Sequence, residues 1–184
     1  MKKMTGKKHK AVSEGVSRRD FLKTSALLAG TTFIVPTIVP SCVMGKDAPS
    51  NMINIGAIGA GRISRTHDLP ETLKYDFTRL IAVCDVDSKR VQEGKEWIQN
   101  FYAEKKGNPG YVDVKMYGDF REMLQNREID AVLISTPDHW HAIPAIEAAK
   151  AGKDIYLQKP TSLAIAEGRA LSDAIQGTGR IFQI

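Results

Sequence analysis

Met52-Ile-Asn-Ile-Gly-Ala-Ile-Gly-Ala-Gly-Arg-Ile-Ser-Arg-Thr-His67 reads as a strand, a tight glycine turn and the start of a helix. Ile53, Ile55, Ala57 and Ile58 suit a strand buried on both faces, as in a parallel sheet, and Gly59-Ala60-Gly61 ends it abruptly. Gly59 permits the sharp turn. Gly61 has no Cβ to keep a pyrophosphate from the backbone N–H groups at the positive end of the next helix. Ser64 holds the third glycine position of the fingerprint, a mild departure because a small residue still lets helix and strand lie close. His67 reads as helix packing or a phosphate neighbour.

The helix that starts at Arg62 is expected to be short, since Pro70 should disturb it. Leu80-Ile81-Ala82-Val83-Cys84-Asp85 is a second buried strand ending in an acid, 26 residues beyond Gly59. An acid there accepts hydrogen bonds from the ribose hydroxyls of a dinucleotide. Lys89 and Arg90 would welcome a 2′-phosphate but Asp85 would repel one, so NAD is preferred over NADP. Cys84 reads as a small buried apolar residue.

A helix follows from Ser88 to about Tyr102, with Val91, Gly94, Ile98 and Phe101 on one stripe and Trp97 and Tyr102 flanking it. Lys105 to Gly110 is a loop, and Val112 to Tyr117 alternates like a strand. Asp119-Phe120-Arg121-Glu122 has capping-box spacing for a helix to Gln125. Ile129 to Ser135 is a central strand stopping at Thr136-Pro137. The helix from about Ile143 ends at Gly152. Asp154 to Leu157 is a strand that stops at Gln158-Lys159-Pro160. The helix from Ser162 to about Gln176 carries Ala166, Ala170 and Ala174 on one face, small enough to lie close on a sheet, and Arg180 to Ile184 begins another strand. This alternation predicts an α/β fold, a doubly wound parallel sheet over residues 51–184. Ligands of such sheets lie beyond the carboxyl ends of the strands, where Gly59, Asp85, Thr136 and Lys159 fall.

The 184 residues, 42% hydrophobic and 26% charged, have the composition of an ordinary soluble domain. Residues 1–23 hold eight Lys or Arg against Glu14 and Asp20, so a net +6 sits there, and the remainder holds 18 positive against 19 negative. A nucleic-acid binder would carry its charge on the folded domain, so nucleic acid is not an expected partner. The basic start, Ser17-Arg18-Arg19-Asp20-Phe21-Leu22-Lys23 and the apolar stretch from Ala26 to Val39 together read as a twin-arginine export signal, followed by a linker to residue 50. Export machinery is then a partner and the periplasm the destination. Val39-Pro40-Ser41-Cys42 loosely resembles a lipobox, which leaves anchoring through the leader or Cys42 open. His139 and His141 stand two apart with no third or fourth ligand at suitable spacing, so no metal is expected.

The glycine turn, Cys84-Asp85, Thr136-Pro137-Asp138-His139-Trp140-His141 and Gln158-Lys159-Pro160 together resemble the N-terminal domain of the Gfo/Idh/MocA oxidoreductases, from Asn54 to Ile184. The resemblance implies that Gly59, Gly61, Arg62 and Ile63 bind the pyrophosphate of NAD and Asp85 its adenosine ribose. Thr136, Pro137 and His141 would lie along the cofactor toward the nicotinamide. Lys159 would stand between nicotinamide and substrate as the catalytic residue, and Gln158 occupies the place of a glutamate in the family's Glu-Lys-Pro pattern. Gln158 can hydrogen-bond cofactor hydroxyls but brings no charge. On physical grounds, a lysine held out of water at the sheet's carboxyl edge can bind a substrate hydroxyl, stabilise a developing alkoxide and shuttle its proton. The implied function is hydride transfer on sugars, polyols or related carbohydrates. A glycosidase using NAD in a transient oxidation and a nucleotide-binding module without catalysis are the alternatives. Family members continue into a second, substrate-binding domain that this sequence lacks, so it reads as a fragment or a truncated gene, and homo-oligomer formation by the full-length form stays open.

Overall fold

The structure, a computed structural model, describes residues 51–105, 107 and 114–184. The twin-arginine segment, Cys42, the linker to residue 50, most of the 105–110 loop and the strand positions Val112 and Asp113 lie outside the described residues.

Among the described residues, six strands run in chain order as β1 (Ile53–Ile58), β2 (Thr78–Cys84), β3 (Lys115–Tyr117), β4 (Ala131–Ile134), β5 (Asp154–Leu157) and β6 (Phe182–Gln183). All pairings are parallel and the spatial order is β3-β2-β1-β4-β5-β6. The helices are α1 (Leu69–Thr72), α2 (Ser88–Lys105), α3 (Phe120–Leu124), α4 (Ala142–Lys150) and α5 (Ile165–Thr178). Alternate strand side chains feed two cores. One joins Ile55, Ala57, Leu80 and Val83 to Leu69 and Leu73 of the first helical stretch and to Val91, Ile98 and Tyr102 of α2. The other joins Ile58, Ile81, Val132, Ile134 and Ile155 to Met123 of α3, Ala145 and Ala149 of α4 and Leu171 of α5. Helices thus cover both faces, the doubly wound arrangement that the alternation of elements predicts.

The structure corrects four local expectations. Pro70 does not cut the first helix short: a π-helical turn, Ser64–Asp68, runs straight into α1. Leu69 N–H bonds back to Ser64 O, five residues away, and the widened turn leaves Pro70 at the start of an α segment, where its missing N–H costs little. Tyr102 rather than Phe101 completes the buried stripe of α2. Asp119 caps α3 by accepting from the Arg121 N–H, one position earlier than a capping box requires. Ala166 and Ala170 of α5 are exposed, because this helix buries Leu171, Ala174 and Ile175 against the core. Gly152 takes the left-handed conformation (φ 76°) just past α4, as its position predicts.

Gly59 fixes how the first turn meets the sheet. Its φ is 91°, and a Cβ there would stand 2.6 Å from the Ser135 carbonyl oxygen, whereas a Cβ on Gly61 would meet nothing within 4 Å. Gly59→Ala is therefore expected to cost at least about 2 kcal/mol of unfolding free energy through strain and overlap. Gly61→Ala should stay within about 0.5 kcal/mol of the parent. Urea unfolding monitored by circular dichroism measures both, and equal losses would contradict this account of the turn.

Candidate functional site

A crevice of about 960 Å³ opens beyond the carboxyl ends of the strands, at the point between β1 and β4 where the strand order reverses. Gly59, Gly61, Arg62, Ile63, Asp85, Thr136, Pro137, His141, Gln158 and Lys159 all line it. Residues drawn from four separate strand ends therefore share one cavity.

At one end, the glycine turn is clamped by its neighbours. Gly59 N–H donates to Cys84 O at 2.8 Å, and Ala60 N–H donates to Asp85 Oδ2 at 2.9 Å. Asp85 Oδ1 accepts from Asp87 N–H at 3.0 Å. Asp85 thus shores up the turn, while each oxygen keeps one further acceptor position for a hydroxyl in the crevice. The start of α2 is served by Asp87, whose Oδ1 accepts from Lys89 N–H at 2.9 Å. Arg90 and the nearly fully exposed Val86 stand on the same wall.

The other end is built from β4 and β5. His141 is 1% exposed, and its ring lies between two backbone carbonyls, with Nε2 2.8 Å from Thr136 O and Nδ1 against Pro160 O. The ring thus packs between the end of β4 and the segment after β5, and the side chain serves the wall of the crevice. Lys159 is exposed at the rim, whereas the sequence reading placed it out of water; it follows the last buried residues of β5, and Leu157 is the last side chain there to enter the core. Gln158 turns inward, with Nε2 donating to Asp68 Oδ1 at 2.7 Å and Oε1 accepting from Lys159 N–H at 3.2 Å.

Asp68 and Ser135 are the residues that sequence reading passed over. The Asp68 carboxylate is 3% exposed and accepts from Ser135 Oγ at 2.6 Å as well as from Gln158. His67, at the crevice, places Nδ1 3.0 Å from Asp68 Oδ1. Nothing in the local sequence marks Asp68, since an acid on a short helix reads as a solvated side chain. Only the fold brings two strand ends over it.

A parallel sheet of this order, with a glycine turn and an acid at neighbouring strand ends, defines a dinucleotide-binding domain of the Rossmann type. The chain belongs to the Gfo/Idh/MocA family: residues 53–184 match the family described as an oxidoreductase family with an NAD-binding Rossmann fold. Glycosyl hydrolase family 109 protein 1 of Shewanella sp. (strain MR-4) is 29% identical over 177 residues, covering 89% of this chain and 38% of that protein. The alpha-N-acetylgalactosaminidase of Shewanella oneidensis is 28% identical over 180 residues, with the same coverage. The solved scyllo-inositol dehydrogenase of Lactobacillus casei, with NAD(H) and scyllo-inositol bound, superposes with a TM-score of 0.60 at 26% identity, covering 72% of this chain and 35% of that one. The chain thus spans well under half the length of these relatives.

The residues present fit NAD, the cofactor of this family. The open space in front of Gly61 is the room a pyrophosphate needs, and the first N–H groups of the helix behind it have no earlier carbonyl to bond. Farther along, Thr136 Oγ1 is buried without a hydrogen-bond partner on the crevice wall, a polar atom suited to a cofactor group. Among the described residues, no group of three or more His, Cys, Asp or Glu is arranged to hold a metal ion.

Cys84 lies on the floor of the crevice. Burial first, and then the negative charges of Asp85, Asp119 and Glu122, push its thiol up from 9.0 to about 12. At pH 8 it is a thiol, and the thiolate is the reactive form. Iodoacetamide at pH 8 should leave Cys84 unmodified in the folded chain and label it fully in urea, as read by peptide mass mapping. Rapid native labelling would contradict the burial.

Proposed function

We propose that the chain is the cofactor domain of an exported oxidoreductase that moves a hydride between NAD and a carbon of a sugar, polyol or related carbohydrate. The observation that carries the reading is the meeting of glycine turn, Asp85, Thr136 and Lys159 on one crevice at the sheet's switch point. In it, Gly59, Gly61, Arg62 and Ile63 hold the pyrophosphate, and Asp85 accepts from the adenosine ribose hydroxyls. Thr136 and Pro137 line the path toward Lys159. When bound, NAD supplies a two-electron hydride acceptor. Lys159 at the rim orients a substrate hydroxyl at Nζ, stabilises the developing alkoxide and carries its proton. The scyllo-inositol dehydrogenase, named for a polyol, supports the substrate class.

A second reading rests on the relatives named as family 109 glycosyl hydrolases and as an alpha-N-acetylgalactosaminidase. In it, the same domain removes and returns a hydride within one turnover, so glycoside is cleaved without net NADH. Net NADH from a polyol favours the first reading, and cleavage of an aryl α-N-acetylgalactosaminide without it favours the second.

NAD should bind at least about tenfold more tightly than NADP, equal to about 1.4 kcal/mol, because Asp85 faces the position of a 2′-phosphate. Asp85→Ala should weaken NAD and narrow the gap, and equal titration curves for the two cofactors would remove the ribose assignment. For a protein extended to the length of its relatives, Lys159→Ala should lower turnover by about a hundredfold or more. An unchanged rate would overturn its role. Export through the twin-arginine route rests on Arg18 and Arg19. Replacing both with lysine should retain the protein in the cytoplasm, and unaltered export would refute the route.

A further inference from the structure

Asp68 is a buried carboxylate held by side chains from two strand ends. It takes a hydroxyl hydrogen bond from Ser135 after β4 and an amide hydrogen bond from Gln158 after β5, and it contacts the ring of His67 beside it. An ionised carboxylate only accepts, so Gln158 must turn its NH₂ toward Asp68. The Lys159 N–H only donates, so the Gln158 oxygen must turn toward Lys159. Both contacts give the same amide orientation. A carboxylate in place of Gln158 would put two like charges at the present 2.7 Å contact and lose the donor between them.

We infer that Asp68 and Gln158 form one singly charged positioning unit: Asp68 carries the negative charge and, through Gln158, sets the backbone from which Lys159 projects. This accounts for glutamine where the Glu-Lys-Pro pattern has an acid: the acid sits at position 68, across one hydrogen bond. The inference rests on the cofactor reading only for what Lys159 does; the pairing itself is a property of the fold.

The test is a reciprocal exchange in the full chain. Asp68→Asn leaves no acid in the unit, and Gln158→Glu leaves two. The double substitution restores one charge, with the amide at 68 able to accept from Ser135 and donate to the acid at 158. Each single substitution should weaken NADH binding, read by quenching of protein fluorescence, by about tenfold. It should also lower the thermal midpoint by about 5 °C. The double substitution should return affinity to within about threefold of the parent and recover most of the midpoint. Additive losses in both measurements would overturn the unit. If a single variant fails to fold, the double variant still decides, since a folded chain supports the pairing and an unfolded one overturns it. Lys159→Ala should cost less NADH affinity in the Asp68→Asn background than in the parent. Equal cost in both would show that Asp68 does not act through Lys159. An unsubstituted chain that fails to bind NADH would overturn the cofactor reading, while the midpoints would still decide the pair.

Discussion

The approach of Gly59 to the end of β4 is the constraint on which the crevice depends. β1 lies between β2 and β4, and its C-terminal turn must pass so near Ser135 that no side chain fits. The turn is then fastened from the β2 side by the Cys84 carbonyl and the Asp85 carboxylate. With backbone on one flank and a carboxylate on the other, the chain has little choice but to aim the next helix start at the cavity. The backbone atoms that would receive a phosphate are thus positioned by sheet geometry, which is rigid, and need no long side chain to reach out.

Two carboxylates, Asp85 on the cavity wall and the buried Asp68, divide the labour differently. Asp85 is half-buried, spends one acceptor position per oxygen on the fold and keeps the rest toward the crevice. Asp68 is buried and its bonds all go to protein groups. Ionised groups taken out of water are tolerated only when donors replace the lost hydration, and Ser135 and Gln158 do so here. The first acid keeps acceptor positions toward the crevice; the second ties the ends of β4 and β5 to the first helical stretch.

Elements with strong local signals were readable from residues alone. β5 falls on Asp154–Leu157 as expected, Gly152 ends α4, and the strand ends that carry Gly59, Asp85, Thr136 and Lys159 do converge. What escaped reading depends on distant partners. Pro70 is a helix breaker only if the turn before it is α-helical, and a π turn is not encoded in any short motif. The alanine face of α5 looked suited to close packing, yet helix rotation is set by where Leu171 finds the core. His141 carried the signal of a polar residue near a site, but its two carbonyl partners come from segments five and nineteen residues away. Asp68 reaches Ser135 across 67 positions and Gln158 across 90, separations at which no periodicity or spacing rule operates.

The same separation of roles explains why relatives of this domain bear such different names. Its crevice is lined by backbone turns and by side chains whose polar atoms are largely engaged in holding those turns, as Asp85, Gln158 and His141 show. In the proposed reading, the charge of Asp85 at the ribose end of this surface bears on which cofactor it takes. Lys159 stands at the rim and offers an amine to any hydroxyl brought against it. The chain is similar both to a scyllo-inositol dehydrogenase and to an alpha-N-acetylgalactosaminidase, and it spans well under half of each. Function resides in sites built on folds, so one cofactor-domain fold is compatible with relatives of different names.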